Sequence, residues 1–395
     1  MSIDASLVAT PPMGFNTWNR FGLEIDERLV RETIEALVEG GLRDAGYRYV
    51  NLDDGWMAPE RDRHGRLTPD PKRFPNGIAA LAEEAHRAGL KLGLYSDCGT
   101  RTCGGLPASY GHERDDAETL VAWGIDYLKQ DWCHVPFEDF PGRSEAEVAE
   151  VLYGRISDAL VATGHPVVLS MCCWGHGYPW EWARGVAHLW RTTGDIADVF
   201  SSADREFRGD MVGIFHRNVV LADFAGPGGF NDPDMLEVGN GGMSAVEYQS
   251  HFALWCLMAA PLLIGTDVRS LSPETAALLK NRALIAVNQD PLGRQARLVQ
   301  SHRGVHVLVK PLAGGDAAVG VFNERDRPGS VTVRWGDLLD NPEAGLWARD
   351  LWTGAERRVV GAEVVQTPPH ATLLYRLRPA GVAAGTALGQ EQTTP

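Results

Sequence analysis

The 395-residue chain lacks any apolar run near the roughly 20 residues that a membrane-spanning helix needs. Its first dozen residues have neither the basic start nor the apolar centre of a signal peptide, so the sequence as written reads as cytoplasmic, or as exported if it begins at a mature terminus. Basic clusters are also missing. With a formal net charge of −15, the surface would repel a phosphate backbone, which excludes nucleic acid as a natural partner and leaves neutral substrates. Six cysteines, at positions 98, 103, 133, 172, 173 and 256, show no CxxC spacing, and their default in the cytoplasm is the reduced thiol. No GxGxxG follows an apolar run, no HxH or HExxH occurs, and His134, His176 and His188 are scattered. A cofactor and a catalytic metal are therefore not expected. What is present, 44% apolar and 23% charged residues, is the balance of a folded globular protein.

Short β-type runs alternate with helical patterns over the first two thirds of the chain. The runs lie at 13–17, 47–52, 90–95, 125–129, 166–171, 188–191, 228–230 and 261–265. Ile78, Leu81 and Ala85 have helical spacing, and a capping box at Ser144 and Glu147 opens an apolar face of Val148, Val151, Leu152 and Ile156. Eight strands alternating with helices pair in parallel and close most naturally as a (β/α)8 TIM barrel, assigned to residues 1–293. Beyond it the period falls to two at 305–309, 318–322, 330–335 and 372–377, with Gly, Pro and Asp between. Residues 294–379 are therefore expected to form a C-terminal antiparallel β-sandwich, and the small, polar residues 380–395 a disordered tail.

Active sites of such barrels lie at the C-terminal ends of the strands. Carboxylates recur there: Asp53 and Asp54 after the second run, Asp97 after the third, Asp131 after the fourth, Asp195 after the sixth and Asp234 after the seventh. Trp18, Trp56, Trp132, Trp174 and Trp190 recur beside them. A single Asp past a strand reads equally well as a helix cap or an Asx turn, and Asp97 and Asp195 are most open to that reading. Lys129 is different. It precedes Asp131 by two and so shares its face of the strand, where packing alone gives no reason for a lysine. Paired acids with aromatic platforms and no cofactor signature point to glycoside hydrolysis; a divalent metal is the other use of such a rim.

The ordered motifs PMGFNTWN (12–19), NLDDGW (51–56), LGLYSD (92–97), YLKQD (127–131), WRTTGD (190–195) and GPGGFNDPDM (226–235) together resemble glycoside hydrolase family 27, and DLWTG (350–354) resembles its C-terminal domain. That family contains α-galactosidases, α-N-acetylgalactosaminidases and some β-L-arabinopyranosidases. The resemblance implies a retaining exo-glycosidase acting on a terminal α-galactosyl group, with Asp131 as nucleophile and Asp195 as general acid/base. It implies that Arg191 binds the hydroxyl beside the anomeric carbon, that Lys129 contacts sugar hydroxyls, and that Asp53 and Asp54 hold the axial 4-hydroxyl and the 6-hydroxyl. Trp18, Tyr95, Trp174, Asp234 and Met235 become pocket walls, and Cys103 and Cys133 match positions commonly bridged at that wall. Lys129 and Arg191 are expected to lower the pKa of Asp131, and proximity and burial to raise that of Asp195.

One departure concerns the 2-position. Where the family usually reads Cys-Glu-Trp, this chain has Cys172-Cys173-Trp174, so Cys173 replaces a recognition glutamate, and Cys172 lacks the partner that its counterpart has in animal members. A smaller Cys173 makes room for an N-acetyl group, which keeps an α-N-acetylgalactosaminidase as the alternative, beside a β-L-arabinopyranosidase. A non-catalytic sugar-binding barrel is the remote reading, and the sequence leaves a homo-oligomer open.

Overall fold

The computed structural model describes residues 2–204, 209–339 and 345–379, so the tail expected at 380–395 lies outside the described residues. Eight parallel strands form one curled sheet: β1 (Met13–Asn16), β2 (Tyr49–Leu52), β3 (Lys91–Asp97), β4 (Tyr127–Asp131), β5 (Val168–Cys172), β6 (Leu189–Arg191), β7 (Phe230–Asp232) and β8 (Leu262–Ile264). They follow one another in order from β7 back to β1, and β8 pairs with β1. The barrel closes just past β7, where Leu236 donates its N–H to Leu263 O at 2.8 Å and accepts from Gly265 N at 2.9 Å. Strands covered on both faces need near-continuous burial, and β2, β5 and β8 are buried at every position.

The helices form where the sequence carries their signals. Gly77–Arg87 buries Ile78, Leu81 and Ala85 as the spacing requires. Glu145–Ala162 begins with the capping box, Glu147 accepting from the Ser144 N–H at 2.7 Å. No described helix is long and apolar enough to cross a membrane.

The second domain has a six-stranded antiparallel sheet built from β9 (Arg297–His302), β10 (Val305–Pro311), β11 (Ala317–Asn323), β13 (Leu346–Asp350), β14 (Glu356–Val359) and β16 (Thr372–Pro379). A two-stranded sheet of β12 (Gly329–Arg334) and β15 (Ala362–Thr367) packs over it. Val305, Val307, Val319 and Val321 meet Val331, Val333 and Val365 between the sheets. The opposite face of the larger sheet supplies Leu308, Phe322 and Leu374 to the barrel's own core, against the buried helix Ala245–Leu257. Gly320 permits this close approach, because a Cβ there would collide with Leu257. One continuous core thus welds the sandwich to the barrel.

Candidate active site

Strand register sets the catalytic layer. Asp131 pairs with Asp97 on one side and Cys172 on the other, and Lys129, two residues earlier, points to the same side of β4. Lys129 Nζ lies 2.8 Å from Asp53 Oδ2, which also accepts from Asn16 Nδ2 at 2.8 Å. Burial pulls the Lys129 pKa down, but Asp53, Cys172 and the two acids Asp131 and Asp195 outweigh it and hold the ammonium charged. Asp54 is fixed by the Gly104 N–H at 2.7 Å on one oxygen, while its buried Oδ1 has no hydrogen-bond partner. A buried carboxylate oxygen without a partner is satisfied by a donor such as a sugar hydroxyl.

Asp131 is 5% exposed and accepts from the Trp132 N–H at 2.9 Å. Burial pushes its pKa up to about 6, with Lys129 pulling against Asp53 and Asp195. Asp195 comes from the loop after β6 and its side chain is 53% exposed. Arg191 Nη2 donates to Asp195 Oδ1 at 2.9 Å, while Nη1 lies 3.1 Å from Asp234 Oδ1. Burial alone would raise Asp195, yet Arg191 and Lys129 leave it below the usual carboxylate range. The expected protonation order is thus reversed in the free protein. Lys129 is shared with Asp53, and Arg191 sits on Asp195 and Asp234, so the buried Asp131 holds the proton more tightly.

The remaining candidates fall into place around this centre. Asp234 adopts a left-handed backbone (φ 80°) and receives the Ile196 N–H at 2.8 Å, tying the β7 loop to the loop that carries Asp195. Met235, Lys129, Cys172, Arg191 and Asp234 line a small cavity inside the barrel mouth. The Tyr95 hydroxyl lies 3.4 Å from Asp97 Oδ2 and from Cys103 Sγ. Cys103 and Cys133 form a disulfide, with Cα atoms 5.2 Å apart, between the loops after β3 and β4. Asp97 braces the same loops by accepting from the Gly99 and Cys133 N–H groups, so its role is anchorage. Trp18 and Asp195 share an open groove at the rim, and Trp174 is partly exposed with φ 52°.

Two parts of the rim differ from the sequence reading. Trp56 and Trp190 are fully buried and donate to Tyr95 O and Asn231 Oδ1, and Trp132 stacks on Tyr153, so these three support the wall and Trp18 and Trp174 supply the accessible rings. Cys173 is fully buried in the apolar core and does not line the cavity; burial pushes its thiol up to about 12. Cys172 takes the inward position, its Sγ accepting from Arg191 Nη1 at 3.5 Å.

Asn16 and Glu237 were not legible as site residues. Asn16 closes β1 beside Asp53, in the motif at 12–19, and so had a positional signal. Glu237 had none: it bridges Asn19 and Asn240 and faces the Trp18–Asp195 groove, and burial pushes its pKa up to about 7. Asp97, Cys103, Asp131 and Cys133 bring donor atoms within 4.8 Å of one another. The two sulfurs are joined to each other, so they offer no thiolates and the group does not suit a metal.

Two family models cover this architecture. One described as alpha galactosidase A matches residues 10–290, and one described as an alpha galactosidase C-terminal beta sandwich domain matches residues 302–377. The chain belongs to glycoside hydrolase family 27, the α-galactosidase family. An α-galactosidase from Cyamopsis tetragonoloba is 44% identical over 372 residues, covering 94% of this chain and 86% of that protein. An α-galactosidase from Oryza sativa is 44% identical over 379 residues, covering 96% and 87%. The crystal structure of α-galactosidase I from Mortierella vinacea superimposes with a TM-score of 0.91 at 34% identity, covering 95% of this chain and 98% of that one. As a member of family 27 the protein is a glycoside hydrolase, and its rim of carboxylates needs no cofactor to do that chemistry.

Proposed function

We propose that the protein hydrolyses terminal α-D-galactosyl groups with retention, Asp131 attacking the anomeric carbon and Asp195 serving as acid and then base. The observation that carries this reading is the pairing of a buried Asp131 with a half-exposed Asp195 across Lys129 and Arg191. Their environments differ as two distinct roles require. In the first step a carboxylate oxygen of Asp131 bonds to the anomeric carbon, and the leaving oxygen takes a proton from Asp195. In the second, Asp195 removes a proton from water, which displaces Asp131 and regenerates both acids.

The chemistry needs one proton on the pair, and the free protein places it mainly on Asp131. Substrate binding moves it. A sugar hydroxyl that engages Arg191 weakens the ion pair to Asp195 and raises that group's proton affinity, while positive charge growing at the anomeric carbon favours an ionised Asp131.

Asp53 and Asp54 read the galactose side of the ring, Asp54 through its unpartnered Oδ1. The α-N-acetylgalactosaminidase alternative depends on room beside Cys173, and Cys173 packs in the core. The Cys103–Cys133 bridge favours an oxidising compartment over the reducing cytoplasm. Values of kcat/KM on p-nitrophenyl α-D-galactopyranoside, α-N-acetylgalactosaminide and β-L-arabinopyranoside test the assignment. The galactoside should lead by at least about tenfold; a lead for either other sugar overturns it.

A further inference from the structure

The joint between barrel and sandwich gathers side chains that hydrolysis does not use. His216 lies on the barrel helix Met211–Val219, His306 on β10, and Glu324 directly follows β11. His216 Nε2 is 2.6 Å from Glu324 Oε2, His306 Nε2 is 3.1 Å from the same oxygen, and all three donor atoms lie within 4.8 Å of one another. His306 is 3% exposed, its Nδ1 has no hydrogen-bond partner, and its Nε2 meets the Glu324 carboxylate at 3.1 Å without a well-aligned hydrogen bond. Such an imidazole pays a desolvation penalty that a better-placed partner would relieve.

We propose that His216 Nε2, His306 Nε2 and Glu324 Oε2 bind one divalent transition-metal ion, with zinc the best match and water completing the shell. Two imidazoles and one carboxylate are an established zinc donor set, with bonds of roughly 2.0–2.2 Å. In a tetrahedron of such bonds the donors sit about 3.3 Å apart. The 3.1 Å contact is already close to that separation, the 2.6 Å contact must open by roughly 0.7 Å, within reach of side-chain rotation, and the two imidazole nitrogens lie within 4.8 Å of each other. Hard ions such as magnesium and calcium prefer all-oxygen shells and are disfavoured.

The surroundings suit a metal. Phe215 and Phe322 pack against the His306 ring at 5.8 and 5.9 Å between centroids and shield it from water, while the His216 side chain is 43% exposed and leaves an entry path. One ligand comes from the barrel and two from the sandwich. The ion therefore staples the two domains through side chains that hydrolysis does not use, and acts on stability and not on turnover.

The test is calorimetric titration of the chelator-treated full chain with zinc chloride at pH 7.5, paired with thermal unfolding. One zinc should bind per chain with a micromolar or tighter Kd, and at a hundredfold excess over Kd should raise Tm by about 4 °C. Magnesium and calcium should do neither. His216→Ala and Glu324→Gln should each weaken zinc binding at least about tenfold and abolish the Tm rise, with metal-free hydrolysis of p-nitrophenyl α-D-galactopyranoside unchanged. Absence of a stoichiometric zinc site, or a site that survives both substitutions, overturns the proposal.

Discussion

Arg191 Nη2 lies 2.9 Å from Asp195 Oδ1, so the proposed acid/base rests in an ion pair on the residue that immediately follows Trp190 at the end of β6. The same guanidinium holds the buried Asp234 at 3.1 Å. One arginine thus positions two loops of the rim and keeps Asp195 ionised in the free protein. The cost of that arrangement is that the proton needed for catalysis resides on Asp131 until substrate arrives.

The pH dependence follows from counting protons on the pair. Between its two macroscopic pKa values the pair carries one proton, which is the reactive count whichever carboxyl holds it. With Asp131 raised to about 6 and Asp195 lowered, that last proton leaves near pH 6. The kcat/KM profile should therefore be bell-shaped with its alkaline limb near pH 6. A profile that rises through pH 6 to a plateau would show that Asp195 keeps its proton in the free enzyme.

Asp131→Asn and Asp195→Asn should each lower kcat by at least about 10²–10⁴ with the fold intact, since an amide neither attacks as an anion nor transfers the proton. Azide separates the two. It should restore turnover of a p-nitrophenyl galactoside in the Asp195 variant, giving a β-galactosyl azide, and leave the Asp131 variant inert. Circular dichroism and kinetics together check this, and wild-type turnover in Asp131→Asn would refute the nucleophile.

The barrel was legible because eight short β-type runs alternate with helical patterns along the first two thirds of the chain, and the Lys129–Asp131 face followed from a period of two. In the sandwich the sequence reading missed β9, β13, β14 and β15; β9 and β14 are mostly exposed, and β13 and β15 bury only two residues each, so all four carry little apolar signal. Motif order brought the site residues together, but which way a side chain turns at a strand end is a tertiary matter. Hence Trp56, Trp190 and Cys173 read as pocket residues and lie in the core, while Cys172, read only as an unpaired thiol, lines the cavity. The Arg191–Asp195 ion pair, which decides the protonation order, depends on loop placement and leaves no periodic trace.

Asp54 is the clearest candidate for reading the 6-hydroxyl, because Asp53 is already bonded to Lys129 and Asn16 whereas Asp54 Oδ1 is free. Asp54→Ala should lower the galactoside to β-L-arabinopyranoside ratio of kcat/KM roughly ten- to a hundredfold, corresponding to about 1–3 kcal/mol for one polar contact. Using a ratio cancels any loss of folded enzyme. An unchanged ratio would assign the 6-hydroxyl to another residue.

Thiol titration checks the bridge. Of the six cysteines, Cys103 and Cys133 are paired and Cys98, Cys172, Cys173 and Cys256 are free, so the denatured, unreduced protein should titrate four thiols and the reduced protein six. Cys103→Ser should cost about 2–4 kcal/mol in urea unfolding, as expected for removing a native cross-link. Six thiols without reductant would remove both the bridge and the compartment inference drawn from it.

The central claim is two displacements at one carbon, with Asp131 as the covalent partner. Proton NMR of p-nitrophenyl α-D-galactopyranoside during the first minutes of hydrolysis reads this directly, before mutarotation mixes the anomers. The account predicts α-galactose as the first-formed sugar, because two inversions restore the starting configuration. Initial appearance of the β-anomer would mean a single inversion by water and would contradict Asp131 as the nucleophile.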